Sequence, residues 1–188
     1  MPVIQLPIPK DRNLMFTQNV TNESIAALTK TILEIQTDDE YLVKLYDLHD
    51  VKYTPKPIKI NVDSYGGQVY QCLGLLSVIK ACTTPIHTIV TGCAMSCGFL
   101  ISISGHKRFG HKYATYMYHQ ISSADWGKLK DLEEGIIEAK RLQTIIEQHT
   151  IEQTKITAEK LQDVYEKKQD WFMDSKQALK LGVIDEIV

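Results

Sequence analysis

Residues Ser64–Gly105 read SYGGQVYQCLGLLSVIKACTTPIHTIVTGCAMSCGFLISISG and hold a single charged side chain, Lys80. At the 23% charged content of the whole chain, about ten charges would fall in a stretch this long. Ala81–Gly105 carries no Asp, Glu, Lys or Arg and is long enough to cross a bilayer. It also holds Pro85, His87, Gly92, Gly98, Gly105 and many Ser and Thr, and its wholly apolar runs are short. That composition fits a buried core, not a membrane span.

Working outward, Ile58-Lys-Ile-Asn-Val62 alternates as a strand does, and Asp63-Ser-Tyr-Gly-Gly67 makes a tight turn into an apolar helix, Val69–Lys80. The pattern then repeats. Ile86–Val90 reads as a strand, Gly92-Cys-Ala-Met-Ser-Cys-Gly98 as a turn, and Phe99–Ser104 as a second uncharged helix. Before this block, Asn13–Phe16 lies in a short candidate strand, and Ser24–Ile35 has the three–four apolar spacing of an amphipathic helix. Residues 36–57 are charged and aromatic-rich and read as a long surface connection; Lys107-Arg-Phe-Gly110 reads as a turn. Ala114–Tyr118 reads as a strand, residues 126–153 as a long amphipathic helix interrupted by Gly135, and Thr157–Lys167 as a final longer helix. Alternating strands and helices predict an α/β fold with a largely parallel sheet.

The 188 residues suit one domain, and a net charge of −2 gives no electrostatic reason to expect nucleic acid or an anionic membrane as partner. Met1–Lys10, with three prolines, lacks the basic leader and apolar run of a signal peptide and reads as an extended arm. All four cysteines (Cys72, Cys82, Cys93, Cys97) lie in the apolar block and read as buried free thiols of a reducing, cytoplasmic-type compartment. A lone Cys93-x-x-x-Cys97 spacing without a second ligand pair predicts no metal.

Two turns can carry chemistry. Paired glycines at Gly66-Gly67 permit positive φ and bring backbone N–H groups close to a ligand, and no P-loop lysine follows. In Ala94-Met-Ser96-Cys-Gly98, small residues flank a serine where a strand feeds a helix, as in a nucleophile elbow, although Ala94 replaces the first glycine of the strict pattern. On its own such a serine is most often a helix N-cap. A nucleophilic serine needs a base. Of six histidines, His119 ends a strand on the sheet edge where Ser96 should lie; His49, His87, His106, His111 and His149 fall in connections, a strand interior or the long helix.

At this point the sequence resembles the ClpP family, the proteolytic subunits of ATP-dependent Clp proteases, with the ClpP/crotonase fold. The resemblance rests on Ile60–Gly67, Gly92–Gly98, Lys107–Phe109, Met117–Gln120, Asp170–Ala178 and Gly182–Ile187, in family order over about residues 12–188. It implies repeated β-β-α units with a long protruding handle helix. It also implies one domain over 1–188, with an arm at 1–11, a head at 12–125 and 154–188, and a handle at about 126–153. It implies a serine endopeptidase in which Ser96 is the nucleophile, His119 the general base and Asp170 the orienting carboxylate. Asp163 and Asp174 are nearby competitors; Trp171-Phe-Met173 after Asp170 keeps the family pattern. The backbone N–H groups of Gly67 and Cys97 would form the oxyanion hole. Substrate would lie extended beside the segment after Gly67 and beside Ile121–Ala124.

The implied partners are copies of the chain in heptameric rings stacked as a tetradecamer, an AAA+ unfoldase of the Clp type, and unfolded polypeptides. No nucleic acid or membrane is implied. No cofactor is implied in this subunit, since ATP is used by the unfoldase. The implied location is the bacterial or phage-infected cytosol, or an organelle stroma or matrix. Two other readings share these features: a non-cleaving subunit that modifies mixed rings, and a crotonase-type acyl-CoA enzyme.

The chain departs from the family pattern in several places. About a dozen residues precede Leu14, where members carry an axial-loop segment and a helix. Roughly fourteen extra residues fall around Tyr41–Thr54. Tyr65 and Ile121 stand where proline is usual, and Lys168-Gln169 where an acidic residue and arginine pair between rings.

Overall fold

The computed structural model describes residues 10–122 and 126–188. The N-terminal arm, apart from its last two residues, and Ser123–Asp125 lie outside them. The chain alternates strand and helix: β1 (Asn13–Phe16), α1 (Asn22–Asp47), β2 (Ile58–Ser64), α2 (Val69–Ala81), β3 (Ile86–Met95) and α3 (Cys97–Ile103). There follow β4 (Lys107–Gly110), β5 (Thr115–Tyr118), α4 (Leu129–Gln153), α5 (Ala158–Glu166), β6 (Trp171–Asp174), α6 (Ser175–Lys180) and β7 (Glu186–Ile187).

The strands form one sheet in the order β1-β2-β3-β4-β7, all parallel, with β5 beside the far end of β3 and β6 antiparallel to β5. This is the expected α/β class with a mostly parallel sheet. The charge-poor block and the strand that leads into it supply its centre: Ile58, Ile60, Val62, Leu75, Ile79, Ile86, Phe99, Ile101 and Ile103 are all fully buried. Alternation in β2 explains the face, because Ile58, Ile60 and Val62 turn inward while Lys59 and Asp63 are exposed. No helix among the described residues is long and apolar enough to cross a membrane.

Four readings of the sequence need correction. First, residues 36–47 are not a surface connection but the second half of α1, a helix capped at its start by a Thr21–Ser24 capping box. Their charges misled because one of them, Asp39, is buried and satisfied by distant groups. It accepts from Arg12 Nη1 at 2.9 Å, Thr84 Oγ1 at 2.7 Å and Tyr53 OH at 3.2 Å. Burial opposes the charge, but the hydrogen bonds from Arg12 and Thr84 outweigh it and hold the carboxyl below its ordinary range. Residues 41–47 thus lengthen a helix, and the chain returns through an exposed turn at 48–50.

Second, Lys107–Gly110 is strand β4, paired with β3 and β7, and its Arg108 is anchored by Asp185 through Nη2–Oδ1 at 2.6 Å. Third, β3 does not stop at Val90 but runs to Met95. Its first half pairs with β4 and its second half with β5, so β3 carries the chain from the core to the functional edge. Between the halves the register against β2 shifts, and Asp63 Oδ1 accepts from Cys93 N–H at 2.9 Å to hold the irregularity. Fourth, Gly135 does not interrupt the long helix: α4 runs unbroken from Leu129 to Gln153, because one glycine weakens a helix without ending it.

Candidate active site

Ser96 sits between β3 and α3 with φ 52° and ψ −122°, a backbone conformation that an L-residue rarely adopts. The surroundings impose it. Ser96 N–H donates to the Met117 carbonyl at 2.9 Å, so β5 holds the approach to the turn. On one side lies Gly66 (φ +99°), where a Cβ would come within 2.7 Å of Ser96 Cβ. On the other lies Gly98, where a Cβ would come within 2.6 Å of the Ser64 carbonyl oxygen. Only glycine allows the two turns to nest. The flanking small residues therefore have the role that an elbow requires. Ser96 is the residue before α3, and its side chain makes no capping hydrogen bond, so the ordinary N-cap role is not the one it fills.

Ser96 and His119 line the same cleft, together with Gly67, Val69, Leu100 and Ile121. Strand β5 ends at Tyr118 and delivers His119 beside the elbow, because β5 pairs with β3 up to Met95↔Met117. Asp170 Oδ1 lies 3.9 Å from His119 Nδ1. That is beyond hydrogen-bond length, and 62% of the carboxylate side chain is exposed. Uncomplexed sites often hold their catalytic contacts at such lengths and tighten them around substrate. The two competing carboxylates are engaged elsewhere: Asp163 pairs with Lys167 at 2.6 Å, and Asp174 caps α6 by accepting from Gln177 N–H.

Asp170 is placed by the end of α5. There Lys168 N–H donates to Tyr165 O and Gln169 N–H to Val164 O, with Lys168 at φ +50°. This paired arrangement is a Schellman stop, here with lysine in the left-handed position usually given to glycine. The chain leaves it directly into Asp170 and β6.

The glycine turn is fixed by two contacts invisible in the sequence pattern. A bridge pairs it with Val20, whose backbone would clash with any Cβ at Gly67. The Cys97 thiol also donates to the Gly67 carbonyl at 3.3 Å, and the Cys72 thiol to the Cys97 carbonyl at 3.5 Å. The neighbouring Cys97 side chain, reinforced by burial, pushes the Cys72 thiol well up, so it remains a protonated donor. Cys97 N–H opens α3, and a first helical amide has no intrahelical acceptor. The cysteines do form the buried free set expected from composition.

Helix α4 closes one wall. Ile146 reaches the cleft, and Tyr70 OH at the start of α2 donates to Glu138 Oε1 of α4 at 2.6 Å. Arg141 holds the same carboxylate, and the hydrogen bonds from Arg141 and Tyr70 lower Glu138 to about 2. Of the two segments expected to flank substrate, the one after Gly67 lines the cleft; the other is described only at Ile121 and Ser122. Among the described residues, no group of three His, Cys, Asp or Glu side chains could hold a metal ion.

Comparison with known proteins places the chain in a family. The family model described as Clp protease matches residues 8–188. The chain is 30% identical over 135 residues to ATP-dependent Clp protease proteolytic subunit 2 of Treponema pallidum, covering 71% of this chain and 67% of that one. It is 29% identical over 160 residues to the ATP-dependent Clp protease proteolytic subunit of Deinococcus radiodurans, covering 84% and 77%. Against the subunit of the same name in Streptococcus mutans it is 28% identical over 190 residues, covering 95% and 85%. With the family model spanning nearly all of it, the chain belongs to the Clp protease family.

Proposed function

We propose that this chain is a serine endopeptidase subunit that hydrolyses peptide bonds of unfolded polypeptides inside a chamber built from copies of itself. The observation that carries this reading is the strained Ser96 turn at the mouth of a cleft shared with His119. In this mechanism Ser96 Oγ attacks the scissile carbonyl carbon while His119 takes the hydroxyl proton. The tetrahedral oxyanion is stabilised by the N–H groups of Gly67 and Cys97, and His119 returns the proton to the leaving amine. Water, activated by the same imidazole, then releases the acyl group. Asp170 orients the imidazole and stabilises its charged form. No metal or cofactor takes part, and ATP enters only through a partner unfoldase.

One domain of this size, a head at 12–125 and 154–188 with a handle at 126–153, cannot enclose a chamber, so compartmentalisation comes from assembly. The exposed Leu129, Ile136 and Ile137 on the first half of α4 support a handle that meets other copies. Stacked heptameric rings and location in a cytosol, stroma or matrix follow from the same reading. The exposed Asp170 specifically favours a second reading, a non-cleaving subunit of mixed rings. A crotonase-type acyl-CoA enzyme has no use for the strained serine. The test pairs particle mass with hydrolysis of a small fluorogenic peptide. A tetradecamer-sized wild type should cleave, and Ser96→Ala should assemble equally and cleave nothing; an assembled wild type without turnover favours the non-cleaving reading.

A further inference from the structure

Gln143 is a polar side chain on α4 that the mechanism above does not use, and it is only 7% exposed. Its amide touches both sides of His119. Oε1 accepts from Ile121 N–H at 2.8 Å, and Nε2 lies 3.4 Å from Tyr118 OH and donates to Glu147 Oε1 at 2.7 Å. The partners fix the direction of the amide: a backbone N–H can only donate and a carboxylate can only accept. Tyr118 is itself buried, its ring edge-on to Phe99 of α3 at 5.9 Å, and burial pushes its hydroxyl well above the ordinary value, so it stays neutral.

We infer that Gln143 is a positioning residue for His119, clamping the residue before it and the second residue after it to the long helix. The inference rests on the peptidase reading. Without the clamp, His119 would hang from the end of β5 by its own chain. A displacement of about 1 Å at a reacting group can cost about 10²-fold in rate. The same contact makes the placement of α4 a condition for an aligned base.

The experiment uses the assembled full-length protein and a fluorophosphonate that reacts with an activated serine. Labelled fraction and labelling rate are measured separately, alongside kcat and KM on a fluorogenic peptide. Gln143→Leu should lower kcat and the labelling rate together by about 10- to 100-fold, leave KM within about threefold of wild type, and still label every Ser96. The double swap Gln143→Glu with Glu147→Gln keeps an acceptor facing Ile121 N–H and exchanges donor and acceptor along α4; it should restore most of the loss.

A Gln143→Leu protein that labels and turns over within about twofold of wild type overturns the inference while leaving the peptidase reading intact. So does a loss explained wholly by a smaller labelled fraction, or a double swap no better than Gln143→Leu. Wild type that never labels at Ser96 removes the peptidase reading, and this inference with it.

Discussion

At Ser96 the backbone is bracketed by Gly66, Gly98 and the Met117 carbonyl, whereas Asp170 follows a helix stop at the surface with most of its carboxylate in solvent. The same three-residue constellation is thus over-determined at one end and loosely held at the other. The serine's end shares its contacts with the core, where β2, β3, α2 and α3 meet. The carboxylate's end shares them with one short helix and a lysine in a left-handed conformation. The lesson is that stability and activity should be coupled at the first end and separable at the second.

The largest effect should come from breaking the coupled end. Gly98→Val would drive a side chain into the Ser64 carbonyl, and overpacking at a core turn costs about 3 kcal/mol or more. Melting temperature and peptide turnover should fall together; an active Gly98→Val with unchanged melting would show that the elbow is not constrained as described. Next, Asp170→Asn should lower kcat by about 10²–10⁴-fold, because an amide facing the imidazole holds the wrong tautomer. Its melting should not move, since the carboxylate is exposed and makes no contact closer than 3.9 Å with His119. Normal turnover would remove Asp170 from the constellation. The smallest change sharpens the comparison without breaking it: Lys168→Gly relieves the left-handed lysine and should stabilise by about 1 kcal/mol. A melting rise of a few degrees with peptidase activity intact is expected; a fall would mean that the lysine side chain contributes more than its backbone costs.

Much of the coupled end was legible in the sequence. Alternation in Ile58–Val62, two turns rich in small residues and the missing charges of Ser64–Gly105 together described two strand–turn–helix units, and the structure has both. Ser96 and His119 could be brought to one edge because strand ends in a parallel sheet share an edge. What the sequence hid was pairing over distance. Asp39 reads as a surface charge until Arg12, Thr84 and Tyr53 are seen around it, so half of α1 reads as a connection. Lys107–Gly110 is too short to show its period and reads as a turn until β3 and β7 flank it.

The support around the site was hidden for the same reason. Cys97 reads as packing, yet its thiol holds the Gly67 peptide. Gln143 carried one available signal: it is a polar residue on the inward stripe of α4, between Leu142 and Ile146, where an apolar side chain would be expected. Asp170 could be preferred over Asp163 and Asp174 only through the residues that follow it; the structure adds a reason by engaging the other two elsewhere.

In the proposed mechanism the strained turn makes Ser96 a nucleophile with His119 as its base. Mass mapping of the full-length protein after treatment with a fluorophosphonate tests it most directly. One adduct is expected, on Ser96, lost in His119→Ala; hydrolysis of peptide with Ser96 unmodified, or an adduct on another serine, would overturn the assignment.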